Sequence, residues 1–170
     1  MCWSKLFGKK QLVEEEEEIE EESGFMPEPR ESDYPVYRMT WADTRLLIGK
    51  LGLTAMMEGD DPDRHFFYTD EETWRKIIPY LTYPGEYYAW EERRDCDDYS
   101  KKASADSSFY YGLNCLQVWG NTPLGFHAFN MVLVLPDKWK LFEPNASFEC
   151  AGELLDLKNE YGWEPVKWKP

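Results

Sequence analysis

The 170-residue sequence predicts an α+β domain carried behind an acidic N-terminal arm. Helix-start signals come first along the chain, at Thr40, at Thr69 and around Cys96. Two apolar runs then follow, 126–135 and 139–142, flanking the turn Pro136-Asp137-Lys138. Helices first and strands after favour a layered α+β arrangement over a wound parallel sheet. Ahead of both, residues 14–22 hold eight glutamates in nine positions, a self-repelling block that buries no core.

The arm and a proline-containing linker, SGFMPEPRESDYP, occupy residues 1–35, and the folded domain is expected over 36–170. The run TWADTRLLIGKLG predicts a helix capped by Thr40, weakened in its second half by Gly49 and Gly52. Thr69 with Glu72 reads as a capping box for TDEETWRKIIPY, which would bury Trp74, Ile77 and Ile78 and end at Pro79. An aromatic loop, YPGEYYAWEERR, leads to a third helix starting near Cys96 in DCDDYSKKASA. LNCLQVW predicts a strand. The flanked turn at 136–138 predicts a β-hairpin. Period-two geometry puts His127, Phe129 and Met131 on one face of its first strand and Ala128, Asn130 and Val132 on the other. WEPVKWK is expected to add an edge strand.

Composition narrows the function classes. Eight Trp, eleven Tyr and nine Phe are too many for a disordered chain. The net charge is −14, of which −7 lies within 34–170, so a basic nucleic-acid face is excluded. No stretch reaches the roughly 18 apolar residues of a membrane-spanning helix. Nor does the start supply the apolar run of roughly 7–15 residues of a signal peptide, so a cytoplasmic location is expected. The four cysteines form no CxxC pair or zinc spacing, and are expected as reduced thiols. The acidic arm is a candidate surface for a basic partner.

His65, in DDPDRHFF, reads as a surface residue of a polar loop. His127 sits in an apolar strand, where a single imidazole is most often structural. Its neighbours add meaning. Cys96 stands at a helix start, whose free amides and partial positive charge favour a thiolate and can receive an oxyanion. Glu143, at the exit of the paired strand, can reach across the ladder to orient His127 as a base. The order Cys, His, acid on helix, strand and strand is that of papain-like and transglutaminase-like folds.

On these residues (DCDDYS, GFHAFNMVLVL and WKLFEPN) the chain resembles the papain-like C-terminal domain of MOA-related mushroom agglutinins. It is also similar to bacterial transglutaminase-like cysteine proteinases. The resemblance spans roughly residues 85–147 and implies Cys96 as nucleophile, His127 as base and Glu143 as orienting acid. It also implies calcium, held by Asp95, Asp97 and Asp98, with Asn145 among the oxygens that complete its six to eight ligands. Carboxylates oppose a thiolate unless a cation neutralises them, which links calcium to activity. Two departures stand out. No ricin-type carbohydrate repeat is present, and Trp90, Glu91 and Glu92 occupy the approach where the family carries an oxyanion-hole Gln. Trp90 is then a candidate pocket wall or N–H donor. The expectation is a thiol-dependent hydrolase of a peptide or isopeptide bond, acting on a protein or peptide substrate. The alternative is a non-catalytic, phage-associated binding or structural protein that keeps the fold.

Overall fold

A computed structural model describes residues 34–56, 63–89, 94–135 and 137–170. The acidic arm and its linker up to residue 33 lie outside the described residues, as does Trp90 with Glu91 and Glu92.

Strand β1 (Tyr37–Thr40) pairs antiparallel with β3 (His65–Tyr68). Between them come α1 (Trp41–Gly49) and the two-residue β2 (Thr54–Ala55). Thr40 caps α1 as expected, its hydroxyl accepting the Asp43 N–H at 3.1 Å. His65 corrects the sequence reading: it opens β3 opposite Thr40 and is half-buried, because HFFY pairs as a strand rather than continuing the polar loop. Helix α2 (Glu71–Ile77) runs into a 3-10 turn, Ile78–Leu81. Its cap is Asp70, one residue later than expected; Asp70 accepts the Thr73 N–H at 2.8 Å, while the Thr69 hydroxyl donates to the Pro35 carbonyl.

Helix α3 (Cys96–Tyr111) has Asp95 as N-cap and ends at Gly112, whose φ of 60° is the left-handed stop that glycine favours. Beyond it β4 (Cys115–Thr122), β5 (Gly125–Val134) and β6 (Lys138–Phe142) form an antiparallel meander. β7 (Leu155–Asp156) and β8 (Glu164–Lys169) complete a six-stranded sheet in the order β2-β8-β4-β5-β6-β7. The last strand therefore corrects a second expectation: β8 lies inside the sheet, between β2 and β4, not at its edge. Gly120 permits this closure, since a Cβ there would sit 2.0 Å from the Glu164 carbonyl oxygen.

The sheet separates two apolar layers, and the period-two alternation of β5 assigns side chains to them. Phe129, Met131 and Leu133 join Trp41, Phe66, Trp139 and Trp168 on one side. Val132 and Val134 join Trp74, Ile77, Ala103 and Leu113 on the other. The architecture is thus mixed α+β, with α2 and α3 backing the second layer. No helix among the described residues is long and apolar enough to cross a membrane.

Candidate functional site

Two polar fastenings hold the start of α3 against β5. The Ser100 hydroxyl donates to the Phe129 carbonyl at 2.9 Å, and the Asn130 amide donates to the Ser100 carbonyl at 3.0 Å. Ser100 and Asn130 are both fully buried, so each bond also satisfies a group that would otherwise be stranded. Asn130 thereby anchors α3 from the face of β5 opposite His127.

The hairpin register pairs Asn130 with Phe142, which sets Glu143 diagonally across from His127 on the same face. Glu143 Oε2 lies 2.9 Å from His127 Nε2, and its other oxygen accepts the Asn145 N–H at 2.8 Å. Glu143 is 0% exposed and His127 8%. The Cys96 side chain, at the first position of α3, lies close enough to the same imidazole to favour its protonated form. The structure thus brings Cys96, His127 and Glu143 together.

Burial alone would hold the imidazole neutral, but the neighbouring Cys96 and the hydrogen bond to Glu143 outweigh it and push His127 up to about 9. Burial pushes the Glu143 carboxyl up, against the pull of His127 and the Asn145 N–H. At neutral pH the ring is a buried imidazolium beside Cys96 and Glu143. Chemically, this unit can hold a proton at a fixed place.

Aromatic rings roof it. Phe148 lies 4.7 Å from the His127 ring and Trp163 meets it edge-on at 5.4 Å, with Phe129 stacked at 6.4 Å. The Asn159 side chain accepts the Trp163 N–H at 3.2 Å and so fixes that wall. Cys115 and Cys150 are buried thiols, pushed up by burial to about 12 and about 11.

Asp95, Asp97 and Asp98 place carboxylate oxygens within 4.8 Å of one another. The closeness of Asp97 raises the Asp95 carboxyl, whereas Asp95 and the Lys101 ammonium hold Asp97 down. Lys101 bonds to both Asp97 and Asp98. Hard carboxylate oxygens suit calcium in kind, and carbonyls or water would have to complete its six to eight ligands. Asn145 is engaged elsewhere: its side-chain oxygen accepts the Ser147 N–H at 3.0 Å, beside Gly85.

On the outer side of α3 a cleft of about 340 Å³ is lined by Tyr83, Tyr87, Tyr99, Arg94, Asp98 and Lys102. The Tyr99 hydroxyl donates to the Pro84 carbonyl at 2.7 Å and the Tyr83 hydroxyl to Asp106 at 2.8 Å, which orient two of the three rings. Tyr87 is half exposed at the mouth. Sequence reasoning passed over these tyrosines. Their signal was the tyrosine density of YPGEYY, followed by Tyr99 one turn into α3.

No family model matches the sequence, and no curated protein matches it. Solved structures do. One, described as "PSL1a-E64 complex", is 15% identical with a TM-score of 0.54 over 77% of this chain and 50% of that chain. Another is a Polyporus squamosus lectin bound to the human-type influenza-binding epitope Neu5Aca2-6Galb1-4GlcNAc; it is 15% identical with a TM-score of 0.51 over 77% of this chain and 49% of that chain. The likeness is one of fold. The chain spans about half the length of the solved chains it matches.

These matches correct the functional reading. A resemblance to papain-like and transglutaminase-like proteinases implied a thiol-dependent hydrolase with Cys96, His127 and Glu143 as its catalytic groups and a protein or peptide as substrate. One of the solved structures that share the fold is that of a lectin with a bound glycan epitope. The physical reason is general: a Cys-His-acid order describes how a scaffold is assembled, and a scaffold does not determine activity.

Proposed function

We propose that the chain is a binding protein for a saccharide, built on an α+β scaffold of papain-like and transglutaminase-like layout, with the ligand in the tyrosine-lined cleft. One observation carries this reading. Three tyrosine rings converge on a cleft of about 340 Å³ whose remaining lining groups, Arg94, Asp98 and Lys102, are charged. Aromatic rings offer broad apolar faces to the C–H surfaces of a sugar, and charged groups at the margin bond its hydroxyls. The lectin name of one structure that shares the fold supports the same ligand class.

In this reading the buried His127–Glu143 pair, with Cys96 beside it, ties the start of α3 to the hairpin and so holds the wall that carries Tyr99. Residues 36–170 form the binding unit, and the acidic arm of residues 1–35 is an appended surface for a basic partner. Calcium held by Asp95, Asp97 and Asp98 would take the place of the Lys101 ammonium and stiffen the cleft edge through Asp98.

The test is a calorimetric titration of the full chain with N-acetyllactosamine, on wild type and on Tyr87→Ala. Saturable binding weakened by about tenfold in the variant is expected, the loss of one ring face. Equal affinity in wild type and variant would contradict the assignment of the cleft.

A further inference from the structure

We infer that the tyrosine-lined cleft selects a saccharide that carries a carboxylate, recognised by Arg94; this rests on the reading of the cleft as a saccharide site. The charged groups around it are unequally compensated. Asp98 meets the Lys101 ammonium at 3.3 Å. Lys102 meets Asp106 at 2.7 Å and also lies over the Tyr83 ring, 4.7 Å from its centre. Among the described residues no carboxylate lies within ion-pair distance of Arg94, although the chain carries 33 acidic residues. An exposed guanidinium on the wall of an aromatic cleft is thus the lining charge with bonding capacity to spare.

Arg94 also acts inward. Its charge opposes the rise that burial imposes on the Tyr99 phenol, so its field reaches the inner wall of the cleft. A guanidinium offers a planar fork of N–H donors that matches the two oxygens of a carboxylate. The tyrosine faces suit the apolar side of a pyranose ring. An acidic ligand would be repelled at long range by a chain of net charge −14, so any preference for one must arise locally, at Arg94. A neutral sugar offers the guanidinium hydroxyls alone, without the paired carboxylate oxygens that its fork matches.

The experiment compares methyl galactoside with methyl galacturonide, which differ only in a carboxylate at C6. Full-length wild type, Arg94→Gln and Arg94→Lys are titrated, with ring signals of the tyrosines followed by NMR and folding checked by melting temperature. Wild type should bind the galacturonide about tenfold more tightly than the galactoside, the scale of one charge-assisted fork. Arg94→Gln should bring the galacturonide to the affinity of the galactoside, so that the ratio between the two sugars falls from about tenfold to about one. Arg94→Lys, which keeps the charge and loses the fork, should fall between them. If both sugars perturb the tyrosine rings with equal affinity, the carboxylate preference is wrong and the saccharide site stands. A preference that survives Arg94→Gln overturns the role of Arg94. If neither sugar moves the rings, the saccharide reading falls and this inference falls with it.

Discussion

Glu143 meets His127 at 2.9 Å with both side chains buried, and it meets it across the hairpin rather than along one strand. The contact therefore locks β6 to β5 at the end of the ladder nearest α3. Removing one partner strands a charge in the interior. Glu143→Ala should lower unfolding stability by about 3–5 kcal/mol, the cost of breaking a buried pair from one side. Urea unfolding measures this, and Glu143→Gln should lose less because it still bonds the ring.

The pair also makes stability depend on pH. His127 is raised from 6.5 to about 9, so the folded state holds the ring's proton more tightly than the unfolded chain does. The stabilisation is fully present below about pH 6.5 and is lost as pH rises through about 9. The urea midpoint should fall over that window, and His127→Gln should flatten the slope. A wild-type midpoint that stays level between those limits contradicts the imidazolium assignment.

Thiol reactivity should follow exposure. Cys96 is half-buried at the head of α3, whereas burial holds the Cys115 and Cys150 thiols protonated, at about 12 and about 11. In the folded protein iodoacetamide should modify Cys96 well before either of them, as read by peptide mass mapping. Labelling of Cys115 at the rate of Cys96 would show that the second apolar layer opens in solution.

A calcium ion at Asp95, Asp97 and Asp98 would compete with Lys101 for the same carboxylates. Lys101→Gln should tighten calcium binding, because Asp97 and Asp98 lose their ammonium, and Asp97→Asn should abolish it. Bound ion raises the melting temperature by mass action, which thermal shift at millimolar calcium reads directly. The absence of both binding heat and thermal shift in Lys101→Gln would leave the three aspartates as helix-start residues.

Much of the fold was legible because it is local. The Thr40 cap, the helix starting at Cys96 and the hairpin over 125–142 each follow from spacing within a dozen or so residues. The two faces of β5 follow from its period, and with them the side of the sheet that carries His127 and Glu143. Long-range features were not legible. β8 reaches the interior of the sheet by pairing with β4, and nothing in WEPVKWK distinguishes an inner strand from an edge one. Asp70 displaced Thr69 as a cap because the Thr69 hydroxyl bonds to Pro35, more than thirty residues away in sequence. The tyrosine cleft joins residues 83–87 to 94–102, and only the folded chain shows that their rings converge. Function was least legible, since Cys96, His127 and Glu143 specify an arrangement and not a ligand.

The central claim is that a saccharide occupies the cleft of Tyr83, Tyr87 and Tyr99. The most direct measurement is the change in tyrosine ring NMR signals of the full-length chain as N-acetyllactosamine is added, assigned by single Tyr→Phe variants. Saturable shifts at these three rings, with the Tyr37 and Tyr68 rings unmoved, are the predicted result. Saturable shifts at Tyr37 or Tyr68 with the three cleft rings unmoved, or no saturable shift at all, would contradict it.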